Sequence, residues 1–166
     1  LITKRKNIIR NRTITGISFT KNDAKVTLVG VKDRPGVAAS VFKPLSKNQI
    51  NVDMVVQTSS SNNRETDITF TIKLENLSKT LRLIRQNKKI KYRDLIVNKN
   101  VSKISIIGVG MVTTPGVTYR MFQTLADKGI NILVIATSEI KISVLINKKN
   151  INKAISALHK EFKLNR

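Results

Sequence analysis

Residues 33–56 read DRPGVAASVFKPLSKNQINVDMVV, and residues 113–135 read TTPGVTYRMFQTLADKGINILVI. A single offset of 80 residues aligns the two stretches. The pairs that it matches are Pro35 with Pro115, Gly36 with Gly116, Val37 with Val117, Phe42 with Phe122, Leu45 with Leu125, Ile50 with Ile130 and Asn51 with Asn131. An internal repeat of this kind indicates two copies of one structural unit.

Both copies follow the same order of predicted elements. An apolar run typical of a strand comes first, at 24–31 in one copy and 102–110 in the other. A Pro-Gly turn, an amphipathic helix, two strands and a second amphipathic helix follow. Pro44 lies inside the first helix and is expected to bend it or to loosen its last turns. Asn76 and Asn150 are predicted N-caps of the second helices.

The two copies differ in their last strand. The first continues into IKYRDLIVN at 90–98, whereas the second stops at KLNR, 163–166, with no strand. A sheet that lacks a strand has an unpaired edge, and the spare strand TITGISFT at 13–20 would complete it. The sequence therefore predicts an α+β fold of two ferredoxin-like βαββαβ domains with antiparallel sheets, the first inserted in the second.

The net charge of +21 leaves two interpretations open. One is a basic ferredoxin-like module that binds nucleic acid. The other is a chain that uses lysine on solvated faces without a nucleic acid partner. The second is favoured, because the basic clusters Lys4–Arg12 and Lys79–Arg93 contain a single aromatic residue, Tyr92, and so are not interleaved with aromatic residues on which bases would stack.

A catalytic or metal site is not predicted. The chain has no cysteine, which excludes disulfides and thiolate metal sites and fits a reducing cytosol. His159 is the only histidine, the acidic residues form no close pair, and no glycine-rich phosphate loop is present. No apolar run approaches the roughly 20 residues that would span a membrane.

The Pro-Gly turn offers a candidate ligand site. The backbone amides of Gly36, Val37 and Ala38 are expected at a helix N-terminus, where unpaired N–H groups bind anions. Asp33, just upstream, adds a carboxylate. Together these groups suit the carboxylate and the ammonium of a free α-amino acid. An ordinary strand-to-helix connection is the alternative.

Further polar candidates lie on the strand that follows the helix. Asn51 and Asn131 occupy equivalent positions at its entry in the two copies, which indicates a shared role: their amides either contact a ligand or fix the helix–strand loop. Gln57 lies at the far end of the same strand in the first copy, where a solvated strand end is the alternative.

These residues also carry a family resemblance. GVKDRPGVAASVFKPLSKNQINVDMVVQ at 30–57, TDITFT at 66–71 and ATSEIKISVLI at 136–146 together resemble the C-terminal regulatory region of aspartate kinase (aspartokinase), a pair of ACT domains. The resemblance covers about 16–162. It implies a linker from an absent kinase domain at 1–12, a first ACT domain at 24–98, and a second ACT domain formed by 13–20 with 101–166.

The resemblance also implies what this chain does and does not do. ATP-dependent phosphorylation of L-aspartate, with its ATP and Mg²⁺, belongs to the kinase domain, so this chain alone is expected to be no enzyme and to need no cofactor. It is expected in the cytoplasm, as a homodimer or paired with a kinase-bearing subunit. Its expected ligands are L-lysine, L-threonine or both, in feedback control of the synthesis of these amino acids.

The effector contacts of the family fall on particular positions here. Those implied with most support are Asp33, Gly36, Ala38 and Gln57 of the first unit, and Asn131 and Ile132 of the second unit from a partner chain. Asp53, Thr66 and Ser138 match positions near the family's lysine-sensitive sites. Asp33, Gly36 and Asn131 were already candidates on physical grounds.

Overall fold

The computed structural model describes residues 14–59, 64–108 and 116–163. They divide into two compact units: residues 22–100, here the inserted unit, and the described residues of 1–21 and 101–166, here the flanking unit. The predicted linker at 1–12 and the second Pro-Gly proline, Pro115, lie outside the described residues. The predicted domain bounds remain predictions.

The inserted unit contains four strand segments and two helices among its described residues. The elements involved are β1 (Ile14–Lys32), α1 (Val37–Lys47), β2 (Val55–Ser59), β3 (Glu65–Lys73), a 3-10 turn (Leu74–Asn76), α2 (Leu77–Gln86) and β4 (Asp94–Gly108). The strands lie in the order β2-β3-β1-β4, and β3 pairs antiparallel with both β1 and β2. This is the predicted ferredoxin-like arrangement.

The flanking unit repeats this order with a strand borrowed from the start of the chain. The remaining elements are α3 (Val117–Asp127), β5 (Ile132–Thr137), β6 (Lys141–Asn147), a 3-10 turn (Lys148–Asn150) and α4 (Ile151–Glu161). The order here is β5-β6-β4-β1. The Thr15 hydroxyl donates to the Ile107 carbonyl (3.2 Å) and the Ser102 hydroxyl to the Lys21 carbonyl (2.7 Å). The prediction that the N-terminal strand completes this sheet is confirmed.

Two strands are longer than the sequence predicted. The stretches 13–20 and 24–31 were expected as separate strands, but β1 continues without interruption through the polar residues Lys21, Asn22 and Asp23. In the same way β4 continues from Asp94 to Gly108. The hydrophilic residues between the apolar runs do not end either strand, because ladder hydrogen bonds need only the backbone.

Each unit has its own aliphatic core. Leu28, Leu45 and Phe70 are almost wholly buried in the inserted unit, and Ile104 and Leu125 in the flanking unit. Burying a side chain of this size contributes about 1.5–3 kcal/mol. Aromatic residues make up only 4% of the chain, so Ile, Val and Leu dominate both cores, and the edge-on contact of Phe42 with Phe70 (ring centroids 5.2 Å apart) is an aromatic addition.

The sequence repeat extends to backbone conformation. Gly36 and Gly116 precede α1 and α3 with left-handed φ values of 86° and 89°. After the helices, the Ile50 amide donates to the Leu45 carbonyl (2.9 Å), and the Ile130 amide to the Leu125 carbonyl (3.0 Å). The repeated residues therefore determine how both helices begin and end.

The second helices begin differently from the prediction. Asn76 and Asn150 occupy the N-cap positions of α2 and α4, but neither side chain makes a capping hydrogen bond. A 3-10 turn precedes each helix, and in the flanking unit Asn147 is the capping side chain, accepting from the Lys149 amide (3.0 Å).

Candidate functional site

The turn before α1 is held on both sides by hydrogen bonds. The Asp33 amide donates to the carbonyl of Arg64 (2.8 Å). The Arg34 guanidinium donates to the carbonyl of Lys89 (3.0 Å). The side chain of Asp33 is exposed, so its carboxylate faces solvent on a backbone that is fixed by its neighbours.

The amides at the start of α1 are not equally available. The Val37 amide donates to the Arg34 carbonyl (3.2 Å), so it already has a partner within the chain. The ligand hypothesis at this helix therefore rests on the amides of Gly36 and Ala38. Gly36 is exposed, and a Cβ placed on it would meet no atom within 4 Å, so the helix N-terminus is open to approach.

The strand register shows which predicted residues share an end of the inserted unit. Lys32 is opposite Glu65 and Ser59 is opposite Thr66, so the ends of β1 and β2 lie together with the start of β3. Asp33 and Gly36 follow β1 at this end. Gln57, opposite Ile68 and exposed, lies only a few residues along the sheet from it.

Asn51 and Asp53 lie at the opposite end of the same sheet. The Asp53 amide donates to the Thr71 carbonyl (3.0 Å) and the Met54 amide to the Thr71 hydroxyl (3.0 Å). Thr71 lies six positions after Glu65 on β3, which is about 20 Å along a strand. Within one chain, Asn51 and Asp53 therefore do not share a ligand of amino-acid size with Asp33.

The strand after α1, which the sequence predicted to begin at about Asn51, begins later in the structure. Strand β2 begins only at Val55, because the backbone around Asp53 and Met54 pairs with the buried Thr71 through its hydroxyl as well as its main chain. This leaves the exposed Asn51 in the loop between α1 and β2.

In the flanking unit the predicted residues fall at both ends of its sheet. Asn131 is exposed and Ile132 half-buried at the start of β5. Ser138 follows the end of β5, where its amide donates to the Lys141 carbonyl (2.8 Å). The register of β4 with β6, Ile107 opposite Lys141, places this second end beside the end of β4 that leads toward α3.

Several residues near the Asp33 end were not predicted from the sequence. The Gly30 amide donates to the Asp67 carboxylate (2.9 Å) at a bulge in β1. Arg93 forms an ion pair with Glu65 (3.2 Å). A glycine inside the apolar run of β1 is itself the signal of a bulge, but its polar partners are distant in sequence.

Thr66 has a structural partner that the sequence did not reveal. Its hydroxyl is buried and donates to the Thr58 carbonyl (3.0 Å). It therefore ties β3 to β2 at the end of the sheet where Asp33 lies.

The described residues contain no group of three or more potential metal ligands among His, Asp and Glu. His159 is half-buried on α4, and its Nδ1 has no hydrogen-bond partner in the described structure. No described helix is both long and apolar enough to cross a membrane.

The fold and the repeated glycine-started helices agree with a known class of proteins. The chain belongs to the ACT domain family, whose sequence profile matches residues 26–87 and 104–162. The inserted and flanking units each carry one of these matches.

Within this class, the similar proteins are aspartokinases. The regulatory subunit of aspartate kinase from Thermus thermophilus, solved in a ligand-free form, is 35% identical with a TM-score of 0.83, over 90% of this chain and 99% of that one. A structure of aspartokinase alpha and beta subunits gives 39% identity and a TM-score of 0.80, over 90% of this chain and 99% of the matched one.

A longer aspartokinase also matches this chain, but over only part of its own length. The aspartokinase of Pseudomonas aeruginosa is 43% identical over 152 residues, which are 91% of this chain but 37% of that protein. These 166 residues thus correspond to the regulatory region of aspartokinase and not to its kinase domain. The resemblance stated from the sequence motifs is confirmed.

Proposed function

We propose that this chain senses free L-lysine, L-threonine or both, bound between ACT domains of two chains, and so controls an aspartate kinase by feedback. The effector carboxylate would accept hydrogen bonds from the amides of Gly36 and Ala38, and its ammonium would pair with Asp33. Asn131 and Ile132 of a partner chain would close the pocket. The observation that carries the proposal is the open, glycine-started N-terminus of α1, three residues after an exposed carboxylate.

The chemistry of that turn supports a zwitterionic ligand. A helix N-terminus carries unpaired N–H groups and a partial positive charge, which favour a carboxylate. An aspartate nearby favours an ammonium. Gln57, exposed at the same end of the sheet, is a candidate contact for the effector side chain.

Exposed sheet edges support assembly with a second chain. Strand β2 is the outer strand of the inserted unit's sheet and β5 that of the flanking unit's sheet. Val55 on β2 is 50% exposed, and Ile135 on β5 is 45% exposed. Strand edges with apolar side chains readily pair with another chain. One solved relative contains alpha and beta subunits, so the partner here is a second copy or a kinase-bearing subunit.

The energies are sufficient for control. A ligand bound with a Kd between micromolar and millimolar has about 4–8 kcal/mol of binding free energy. Coupling between an effector site and a distant domain usually takes about 1–3 kcal/mol. The coupling free energy can come only from the difference in effector affinity between two arrangements of the ACT domains.

Calorimetric titration of the 166-residue chain with lysine and with threonine tests the proposal. We expect binding heat for one or both, together with a shift toward dimer in sedimentation. Asp33→Asn should weaken binding about tenfold or more, since it removes the partner of the ammonium. Asp94→Asn removes the same charge from an exposed strand residue in the inserted unit and should leave the affinity unchanged.

Two results would contradict the proposal. One is the absence of both heat and thermal stabilisation with either amino acid at about 10 mM, well above the weak limit expected for such sensors. The other is equal affinity of the Asp33 and Asp94 variants, which would remove Asp33 from the site.

A further inference from the structure

A groove lies between α1 and α2 of the inserted unit, and it is lined by none of the predicted effector residues. Its volume is about 770 Å³. Four of its lining residues are lysines: Lys43 and Lys47 on α1, and Lys88 and Lys89 just after α2. No acidic residue lines the groove.

The lysine charges of the groove are not neutralised within the described part of the chain. Neither the ion pair of Arg93 with Glu65 nor that of Arg120 with Glu161 involves any of them. Lys43 and Lys47 are one helical turn apart, where like charges repel and destabilise a helix by a few tenths of a kcal/mol. A negatively charged occupant would remove this repulsion.

The two asparagine side chains of the groove are already paired. The Asn48 side chain donates to the Pro44 carbonyl (2.8 Å), and the Asn87 side chain to the Ser40 carbonyl (2.9 Å). The Asn87 side-chain oxygen accepts from the Lys89 amide (3.1 Å). The charged donors that the groove offers to an occupant are therefore the four lysine ammonium groups, and the Ser40 hydroxyl and the Gln86 amide are neutral donors beside them.

Apolar side chains supply the rest of the lining. Ala39 and Pro44 from α1 and Leu83 from α2 contribute carbon surface. Leu83 is half-buried and packs against the core cluster of the inserted unit. The occupant must therefore carry apolar groups as well as negative charge.

We propose that this groove binds an acidic, partly apolar peptide segment of a partner protein. Carboxylates of the segment would pair with the lysines, and its aliphatic side chains would pack on Ala39, Pro44 and Leu83. Nucleic acid fits less well, because no aromatic residue lines the groove to stack on a base. Helix α1 has 11 residues, about 16 Å of helix, which matches about five extended peptide residues.

The probe is a fluorescein-labelled peptide of about six residues that contains leucines among glutamates, and binding is followed by anisotropy with the full chain. Two further probes are the same peptide with serines in place of the leucines and a short single-stranded DNA. We expect the leucine-containing peptide to bind more tightly than the serine peptide, since only it fills the apolar lining.

The chain supplies a matched control for the lysines. Asn87-Lys88-Lys89 and Asn147-Lys148-Lys149 share the same sequence and the same bond from the second lysine amide to the asparagine oxygen (3.1 and 3.0 Å). The double variant Lys88→Glu with Lys89→Glu should weaken peptide binding about tenfold at low salt. Lys148→Glu with Lys149→Glu makes the same change of net charge outside the groove and should cost less than about twofold.

Three outcomes would overturn this inference. Equal weakening by the two double variants would show that only the overall charge attracts the peptide. Equal binding of the leucine and serine peptides would remove the apolar contribution. Tighter binding of the DNA, with a steep salt dependence and the same sensitivity to the Lys88 and Lys89 changes, would assign the groove to nucleic acid.

Discussion

Gly30 lies at a position in β1 where the backbone of any residue with a Cβ would be strained. Its φ is 69°, in the left-handed region, and the register of β1 with β3 shifts between Leu28 and Val31, which marks a bulge. A Cβ on Gly30 would run into the Arg93 side chain. The bulge lies next to the Arg93–Glu65 ion pair and directs the Gly30 amide to Asp67.

We therefore expect Gly30→Ala to destabilise the chain more than Gly36→Ala. Both positions have positive φ, which costs a residue with a Cβ about 1 kcal/mol. Only at Gly30 does the new methyl group also meet another side chain. Urea unfolding should give a loss of about 1 kcal/mol for Gly36→Ala and up to about 1 kcal/mol more for Gly30→Ala, because the exposed Arg93 side chain can make room only by giving up its ion pair with Glu65.

Removing the Arg93 side chain separates the two causes. In an Arg93→Ala background the cost of Gly30→Ala should fall toward that of Gly36→Ala, because only the backbone strain remains. Gly16→Ala is a control with no positive φ and no atom within 4 Å of the new carbon. If Gly30→Ala proved as mild as the Gly16 change, the bulge would not be needed at that position.

At the scale of single residues, the sequence predicted features of the local backbone better than it predicted hydrogen bonds between residues that the fold brings together. The Pro-Gly dipeptide predicted the open helix start at Gly36, because a left-handed residue there depends on the local chain. The sequence did not predict that the Val37 amide is already bonded or that Thr66 is buried and bonded to Thr58. Those bonds depend on which residues the loops and the sheet register bring together.

Helix α1 contains Pro44 and still continues to Lys47. A proline has no N–H, so the Ser40 carbonyl one turn before it has no intrahelical partner. The Asn87 side chain, at the end of α2, donates to this carbonyl (2.9 Å). The sequence predicted a bent or loosened helix from Pro44 alone. Nothing near Pro44 in the sequence indicates that Asn87, 43 positions later, would donate a hydrogen bond to the Ser40 carbonyl.

We expect the effect of Asn87→Ala to depend on Pro44. With Pro44 present, the substitution leaves the part-buried Ser40 carbonyl unpaired and should cost about 1–2 kcal/mol in urea unfolding. In a Pro44→Ala background, residue 44 regains its N–H and can bond to Ser40, so the cost should be smaller by about 1 kcal/mol.

Asn147→Ala is the reference substitution for this comparison of Asn87→Ala with and without Pro44. It removes the hydrogen bond that the Asn147 side chain accepts from the Lys149 amide (3.0 Å), which is equivalent to the bond from the Lys89 amide to Asn87. It leaves no carbonyl unpaired because of a proline. Its cost should match that of Asn87→Ala in the Pro44→Ala background. Identical costs for Asn87→Ala in both backgrounds would mean that the bond to Ser40 does not compensate for the proline.

At the scale of the whole molecule, the sequence predicted the architecture because the same pattern of strands and helices occurs twice in the chain. Two copies of one pattern, with one strand missing from the second and one spare at the start, left few alternatives. The continuity of β1 and β4 was not predictable in the same way, since the polar residues 21–23 look like a break. Where the effector residues of two chains would meet depends on assembly, which a single sequence does not contain.

The borrowed strand makes a prediction about the two units. Ile14 is 7% exposed and belongs to the core cluster of the flanking unit, against which Ile17 also packs. Deleting residues 1–21 should therefore remove core side chains and a paired strand from the flanking unit while leaving residues 22–100 with their own core. Losing one buried isoleucine alone costs about 2–5 kcal/mol, a large share of the stability of a small domain.

Hydrogen exchange followed by mass spectrometry measures each unit separately. In the truncated chain, peptides from 116–163 should lose their slow exchange, whereas peptides from 64–92 should keep it. The point variant Ile14→Asp should produce the same pattern, because it places a charge in the flanking core, and Ser18→Asp, at an exposed position of the same strand, should not. Equal loss of protection in both regions would mean that the inserted unit does not fold without the flanking unit, and unchanged protection in 116–163 would mean that the N-terminal strand is dispensable to its sheet.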